Sequence, residues 1–221
     1  GVCSRRHAED LIRAGRIFMN GKKALLGDKT SGKEDVLVDG KKIQIKHLKK
    51  KVIAFYKPRG VECTLSPNRG AITLLDFDFG SERIFPIGRL DKDSHGLLLL
   101  TNDGDLGNAL AHPSFEQEKE YLVVIKGIVT EDILKKLKAG IIVNGKQTVP
   151  CHIEGVGKEI FRFILHEGRN RQIRKMCEAV GLEVKDLLRI RVGNVSLGEM
   201  REGKWRILSD REVETLKKTK I

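Results

Sequence analysis

The apolar runs of this chain are short and bounded by glycine or charged residues, so they suit strands better than long helices. KVIAFYK (51–57), LLLLT (97–101), EYLVVIKG (120–127), FRFILHEG (161–168) and VKDLLRIRVGNVSL (184–197) read as strands. Helices are predicted at Asp105–Ala111, Thr130–Lys138, Asn170–Val180 and Asp210–Lys218. Strands of uneven spacing with few helices between them predict an α+β fold with a largely antiparallel mixed sheet. The 221 residues allow one sizeable core or two unequal domains. No apolar run approaches the roughly 18 residues that a membrane-spanning helix needs. The opening GVCSRRHAED lacks the apolar stretch of a signal peptide and lacks a starting Met, so a trimmed start is expected. Cys3, Cys63, Cys151 and Cys177 stand far apart with no CxxC pair. Neither a disulfide framework nor a zinc site is therefore expected; free thiols and a cytoplasmic location are.

Charge is unevenly spread. The formal net charge is +12. Residues 1–50 hold 13 Lys and Arg against 6 Asp and Glu, a net of +7, and the rest hold 29 against 24, a net of +5. Such an excess suits a polyanionic partner: nucleic acid first, an anionic membrane surface second, with simple surface solvation as the bland alternative. The basic segment reads as a module of its own over residues 1–45. Ser4 caps a short helix to about Ala14, whose apolar stripe is Ala8, Leu11 and Ile12, and Gly15 stops it. Asn20-Gly21 joins two short strands, and Asp39-Gly40 turns a further one that starts at Asp35. Arg5, Arg6, Arg13 and Arg16, with Lys22 in the hairpin, form a row suited to backbone phosphates, or a solvated helix face. KHLKKK, residues 46–51, reads as a basic linker to a second domain, 52–221.

The most informative stretch is FPIGRLDKDSHGLLLLTNDGD, residues 85–105. Asp91 follows Arg89 in a loop bounded by Gly88 and Gly96, and a buried-looking strand comes next. A polar loop fixed against a core often carries catalytic groups, although an Asp in a turn can also cap its own backbone. Asp93, Asp103 and Asp105 fit turn and cap roles. Ser94-His95 are adjacent, but nothing in sequence supplies the orienting third group of a triad. No Walker A, GxGxxG, HExxH or zinc-deaminase pattern occurs, which disfavours nucleotide-driven and zinc chemistry. GRNRQIRKMC, residues 168–177, crowds Arg169, Asn170, Arg171, Arg174 and Lys175 at a predicted helix start. Cations so close repel one another unless phosphate or carboxylate sits among them. Ile173 and Met176 are expected to face inward. Tyr121 opens a predicted strand and suits either base stacking or a core position.

Taken together, GRLDKDSHGLLLLTNDG, EKEYLV, and GRNRQIRKMCEAVG followed by LLRIRVGNVSLG resemble, in order, the catalytic loop, the tyrosine motif and the basic motif of the RNA pseudouridine synthases of the bacterial ribosomal small- and large-subunit type. The basic segment is similar to the alpha-L RNA-binding fold that this family carries at its N-terminus, and the likeness spans nearly the whole chain. The resemblance implies isomerisation of a uridine in ribosomal RNA, with a lean to the large subunit, and possible action on tRNA. It implies no cofactor and no metal; nothing in the sequence indicates oligomerisation, so a monomer is expected. Asp91 would be the catalytic carboxylate, attacking C1′ or removing a ribose proton. Tyr121 would stack on the flipped base, and Arg174 would pair with Asp91 and keep it ionised. Ile173 and Leu188 would wall the base pocket. Arg89 would fill the vacated stack or hold the RNA backbone, and Arg169, Asn170 and Arg171 would join the RNA contacts. The rival readings are a non-catalytic RNA-binding or ribosome-assembly protein, and an RNA nuclease or base-removing glycosidase.

Overall fold

In a computed structural model, residues 2–43, 49–66, 68–111 and 117–218 are described; residues 46–48 of the expected linker lie outside them. The chain divides into two compact units, Gly1–Lys49 and Lys50–Ile221.

In the first unit, helix α1 (Arg5–Arg13) starts where the sequence placed it. The Ser4 side chain accepts the N–H of His7 at 3.1 Å, a cap that contributes about 1 kcal/mol. Strands β1 (Ile17–Met19), β2 (Lys22–Lys23), β3 (Val36–Val38) and β4 (Lys41–Lys42) form a sheet in the order β2-β1-β3-β4. Both hairpin turns take left-handed backbone at their two central residues, Asn20-Gly21 and Asp39-Gly40, as a two-residue turn matched to strand twist requires.

The second unit is built on nine strands: β5 (Val52–Lys57), β6 (Phe85–Ile87), β7 (His95–Thr101), β8 (Lys119–Lys126), β11 (His152–Gly155), β12 (Ile160–Leu165), β13 (Glu183–Val192), β14 (Val195–Ser196) and β15 (Trp205–Ile207). Their path is β11-β12-β8-β13-β7-β5-β15, with β6 on β7 and β14 on β13. A separate hairpin joins β9 (Ile142–Val143) to β10 (Lys146–Gln147). Among the described strands only β13 and β7 pair in parallel, so the sheet is mixed and mostly antiparallel. Helices α2 (Gly104–Ala111), α3 (Glu131–Ala139), α4 (Gln172–Glu178) and α5 (Asp210–Lys218) complete the unit.

Strands β5 and β7 are apolar at nearly every position because both faces are covered. Val52, Ala54, Leu97 and Leu99 pack with Leu106, Leu110 and Leu216 from α2 and α5. Ile53, Phe55, Leu98 and Leu100 pack on the other side with Leu74, Phe79 and Ile84. Burying such side chains contributes roughly 1.5–3 kcal/mol each. Strand β12 instead alternates buried residues with exposed or half-buried ones.

Candidate active site

The register of the central strands brings the sequence motifs together. The first residues of β7, His95 and Gly96, pair with Leu188 and Arg189 in the middle of β13. Arg189 in turn pairs with Tyr121 on β8. The loop that leads into β7 therefore comes to lie beside the centre of the sheet, and Asp91 with it. That loop is anchored along its length. Ser94 N–H donates to Asp91 O at 3.1 Å, Gly60 N–H to Lys92 O at 2.8 Å, and Leu90 N–H to Cys63 Sγ at 3.3 Å.

Asp91, Arg89, Tyr121, Ile173, Arg169 and Arg171 all line one cavity of about 430 Å³. Leu165, Leu187, Lys119 and Arg189 share its walls. The mixture of an apolar lining, one aromatic ring and a few convergent charges is what a planar, polar-edged ligand needs. Arg189 is only 5% exposed, and its Nε donates to Leu97 O at 2.7 Å. Lys57, at the end of β5, is fully buried and donates to Pro58 O at 2.7 Å and Val61 O at 2.8 Å. Burial pushes its ammonium down to about 8, and the charge of Asp91 opposes that shift while Arg189 adds to it.

Two expected positions differ. Arg174 does not pair with Asp91 among the described residues. Its guanidinium donates instead to Val184 O at 3.0 Å and to Asp93 O at 3.2 Å, which ties α4 to β13 and to the Asp91 loop. Burial and the neighbouring Arg171 lower its affinity for a proton, and the charges of Asp93 and Asp91 oppose them. Leu188 does not line the cavity. Strand alternation turns it to the core cluster that includes Val52, Leu97 and Leu99, and Leu187 takes the place expected of it. Asn170, expected among the RNA contacts and not in the base pocket, is exposed and outside the cavity lining.

The basic cluster is partly spoken for. Arg169 donates to Glu167 and to the carbonyls of Lys146 and Gln147, which pins the β9–β10 hairpin to the wall. Arg171 faces Asp93 at 3.5 Å, from a left-handed backbone with φ 53°. Ser94 and His95 form no nucleophile–base pair. His95 contacts Tyr56 Oη and Asp186, whereas the buried Ser94 Oγ has no partner among the described residues. In the first unit Arg16 makes a two-pronged contact with Asp39 at 2.6 Å, and Arg13 contacts Glu9 and Asp10.

A family model described as RNA pseudouridylate synthase matches residues 51–179. The chain belongs to that family. Its activity is the isomerisation of uridine to pseudouridine in RNA. It is 42% identical over 214 residues to the dual-specificity RNA pseudouridine synthase RluF of Escherichia coli (strain K12), covering 96% of this chain and 73% of that one. It is 39% identical over 227 residues to ribosomal large subunit pseudouridine synthase B of Bacillus subtilis (strain 168), covering 98% and 91%. A crystal structure of a pseudouridylate synthase superposes with a TM-score of 0.72 at 28% identity, over 96% of this chain and 94% of that one.

Sequence reasoning passed over Lys57, Lys119, Leu187 and Arg189. A signal was present for two of them. Arg189 interrupts the apolar run LLRIRV, and a charge in a central strand must be held by something. Lys119 stands two residues before Tyr121, hence on the same face of the strand.

Proposed function

We propose that the chain isomerises a uridine of ribosomal RNA, in the large subunit, with Asp91 as its essential carboxylate and Tyr121 as the stacking ring. The reading rests on one observation: Asp91 and Tyr121, far apart in sequence, line a single cavity that pairs an apolar lining with more cationic than acidic side chains. Relatives named for the ribosomal large subunit and for dual specificity support the choice of RNA and leave tRNA as a second substrate to test. A base must leave its stack to enter such a cavity, at a cost of a few kcal/mol, which stacking on Tyr121 offsets in part. The four thiols are free, which suits a reducing cytoplasm, and a monomer is the working unit we propose. The test is to incubate the protein with large-subunit, small-subunit and transfer RNA transcripts and map carbodiimide-induced stops to reverse transcription. A new stop in the large-subunit RNA at unchanged mass is expected. Released uracil, cleaved RNA, or binding with no new stop would overturn the reading.

Arg174 acts in this reading as a positioning residue, through Asp93 O, rather than as an ion-pair partner of Asp91. Arg174→Ala is expected to lower single-turnover rate roughly 10²-fold, the cost of a small misplacement of the loop. Without its two hydrogen bonds to carbonyls, stability should fall by about 1–3 kcal/mol. An unchanged rate would remove the role.

The first unit is proposed as an alpha-L RNA-binding domain. Arg5, Arg6 and Lys22 are exposed and carry no ion pair among the described residues, so they can meet phosphate without first breaking a contact. Removing residues 1–49 is expected to weaken RNA binding. It should also flatten the slope of log affinity against log salt by roughly one unit for each phosphate that the protein no longer neutralises. Equal slopes for the two forms, measured by filter binding across a salt series, would count against the proposal.

A further inference from the structure

We propose that Lys119 is a further catalytic residue, whose ammonium meets the uracil ring and stabilises the negative charge the base carries after the glycosidic bond breaks. The inference rests on the reading of the cavity as the uridine site.

Lys119 opens β8 two residues before Tyr121, so alternation along the strand points both side chains to one face, and both line the cavity. The stem of Lys119 runs past Gly168, where a methyl group would stand 3.8 Å from its Cε. Its Nζ donates to Gln117 O at 2.9 Å. An ammonium carries three donors, so further N–H bonds remain available. Among the described residues no carboxylate lies within ion-pair reach of it, and the charged neighbour it feels is another cation, Arg189. Burial pushes its ammonium down to about 8, and Arg189 adds to the fall.

A part-buried lysine with a cation beside it and no acid is costly on its own. The cost is offset if negative charge arrives with the ligand and grows during reaction, where preorganised donors act most strongly. A backbone phosphate would supply charge too, but the lining here includes Ile173, Leu165, Leu187 and Tyr121, which suit a ring and not a hydrated phosphate.

The electron count requires an anion at that point. If the Asp91 carboxylate attacks C1′, the N1–C1′ bonding pair leaves with the uracil, spread over N1, O2 and O4, while Asp91 becomes a neutral ester. If Asp91 instead removes a ribose proton, it becomes neutral, and the departing base again takes the pair. In the first route the turned ring bonds to C1′ through C5 and displaces the Asp91 carboxylate; in the second the base leaves a C1′=C2′ double bond, and Asp91 gives its proton back to C2′ as C5 bonds to C1′. The C5 proton is then lost and N1 gains one, and Asp91 is again a carboxylate. Lys119 gains and loses nothing; it holds a ring oxygen while the charge is there.

The test compares Lys119→Met, Lys119→Arg and Asp91→Asn in the full chain. The RNA is a large-subunit ribosomal transcript carrying uridine or 5-fluorouridine at the mapped position. Lys119→Met should lower the single-turnover rate on uridine roughly 10²–10³-fold, as removal of one charge-stabilising donor does, with RNA affinity nearly unchanged. Lys119→Arg should restore at least about a tenth of the rate, since a cation returns. 5-Fluorouridine has no C5 proton to lose, so the rate read on it is cleavage of the N1–C1′ bond; its base leaves more readily, and there the Lys119→Met defect should shrink by about tenfold or more, which a folding defect would not do. A Lys119→Met rate like that of the unaltered protein, beside an inactive Asp91→Asn, would overturn this inference alone. So would a loss that appears wholly as weaker RNA binding, or a defect of equal size on both bases. Turnover by Asp91→Asn would overturn the reading of the cavity, and the role of Lys119 with it.

Discussion

Asp91→Asn is expected to abolish turnover, by on the order of 10⁴-fold or more, as loss of an essential nucleophile or base does elsewhere. Asparagine keeps the size and planarity of the side chain and removes only its charge and basicity. The backbone contacts that fix the loop come from Ser94, Gly60 and Leu90, and none of them uses the Asp91 side chain. The loop should therefore hold its shape, and RNA affinity should change by no more than about threefold, or roughly 0.7 kcal/mol. Single-turnover assays and filter binding on the same preparation separate the two quantities. A neutral residue at 91 that sustains the normal rate would mean that the carboxylate neither attacks the sugar nor takes its proton. The same result would move the chemistry away from the cavity that holds Tyr121.

Gly96→Ala is expected to cost about 3 kcal/mol, the upper end for an overpacked site, and to lower the melting temperature of the catalytic unit by roughly 10 °C. Gly96 sits at the head of β7 with φ 103°, a backbone shape that side chains disfavour. A Cβ there would stand 2.3 Å from Arg189 O and 2.8 Å from Arg189 N. Those are backbone atoms of β13, at the one described parallel pairing in the sheet, so no rotamer change can relieve the clash. The strands would have to separate where Asp91, Arg189 and Tyr121 are brought side by side. Activity should fall along with stability even at temperatures where the protein stays folded. A melting temperature within about 2 °C of the unaltered protein would show that β7 and β13 can move apart at little cost, and that the register argument for the site is wrong.

Much of the fold was readable along the chain, because it depends on near neighbours. The α1 cap at Ser4, the turns at Asn20-Gly21 and Asp39-Gly40, and the doubly buried β5 and β7 follow from local geometry and from which side chains tolerate water. The spacing of GRLDKDSHG, EKEYLV and GRNRQIRKMC carried the family and the main carboxylate. The short pieces β6, β9, β10, β11 and β15 were passed over. Strands of two to four residues have too few side chains for a period of two to stand out, and they form only because a neighbouring strand offers hydrogen bonds.

The site residues divide in the same way. Asp91, Arg89 and Tyr121 belong to motifs whose order is a property of the sequence. The choice between Leu187 and Leu188 was not, because irregularities in the pairing of β13 with β8 fall between Val184 and Asp186 and again between Arg189 and Arg191. Each shifts the in-and-out count, so parity cannot be carried in from either end of the strand. Arg174 could be recognised as a cation near the loop. Which acceptor it found, the carbonyls of Val184 and Asp93 and not the Asp91 carboxylate, was fixed by where α4 packs against β13. Sequence thus determined which chemical groups the protein has and which local elements carry them, since both follow from residues a few places apart. Tertiary structure alone decided which groups face one another across the cavity, because strand register joins residues about 30 to 90 places apart and a shift of one residue reverses every side chain.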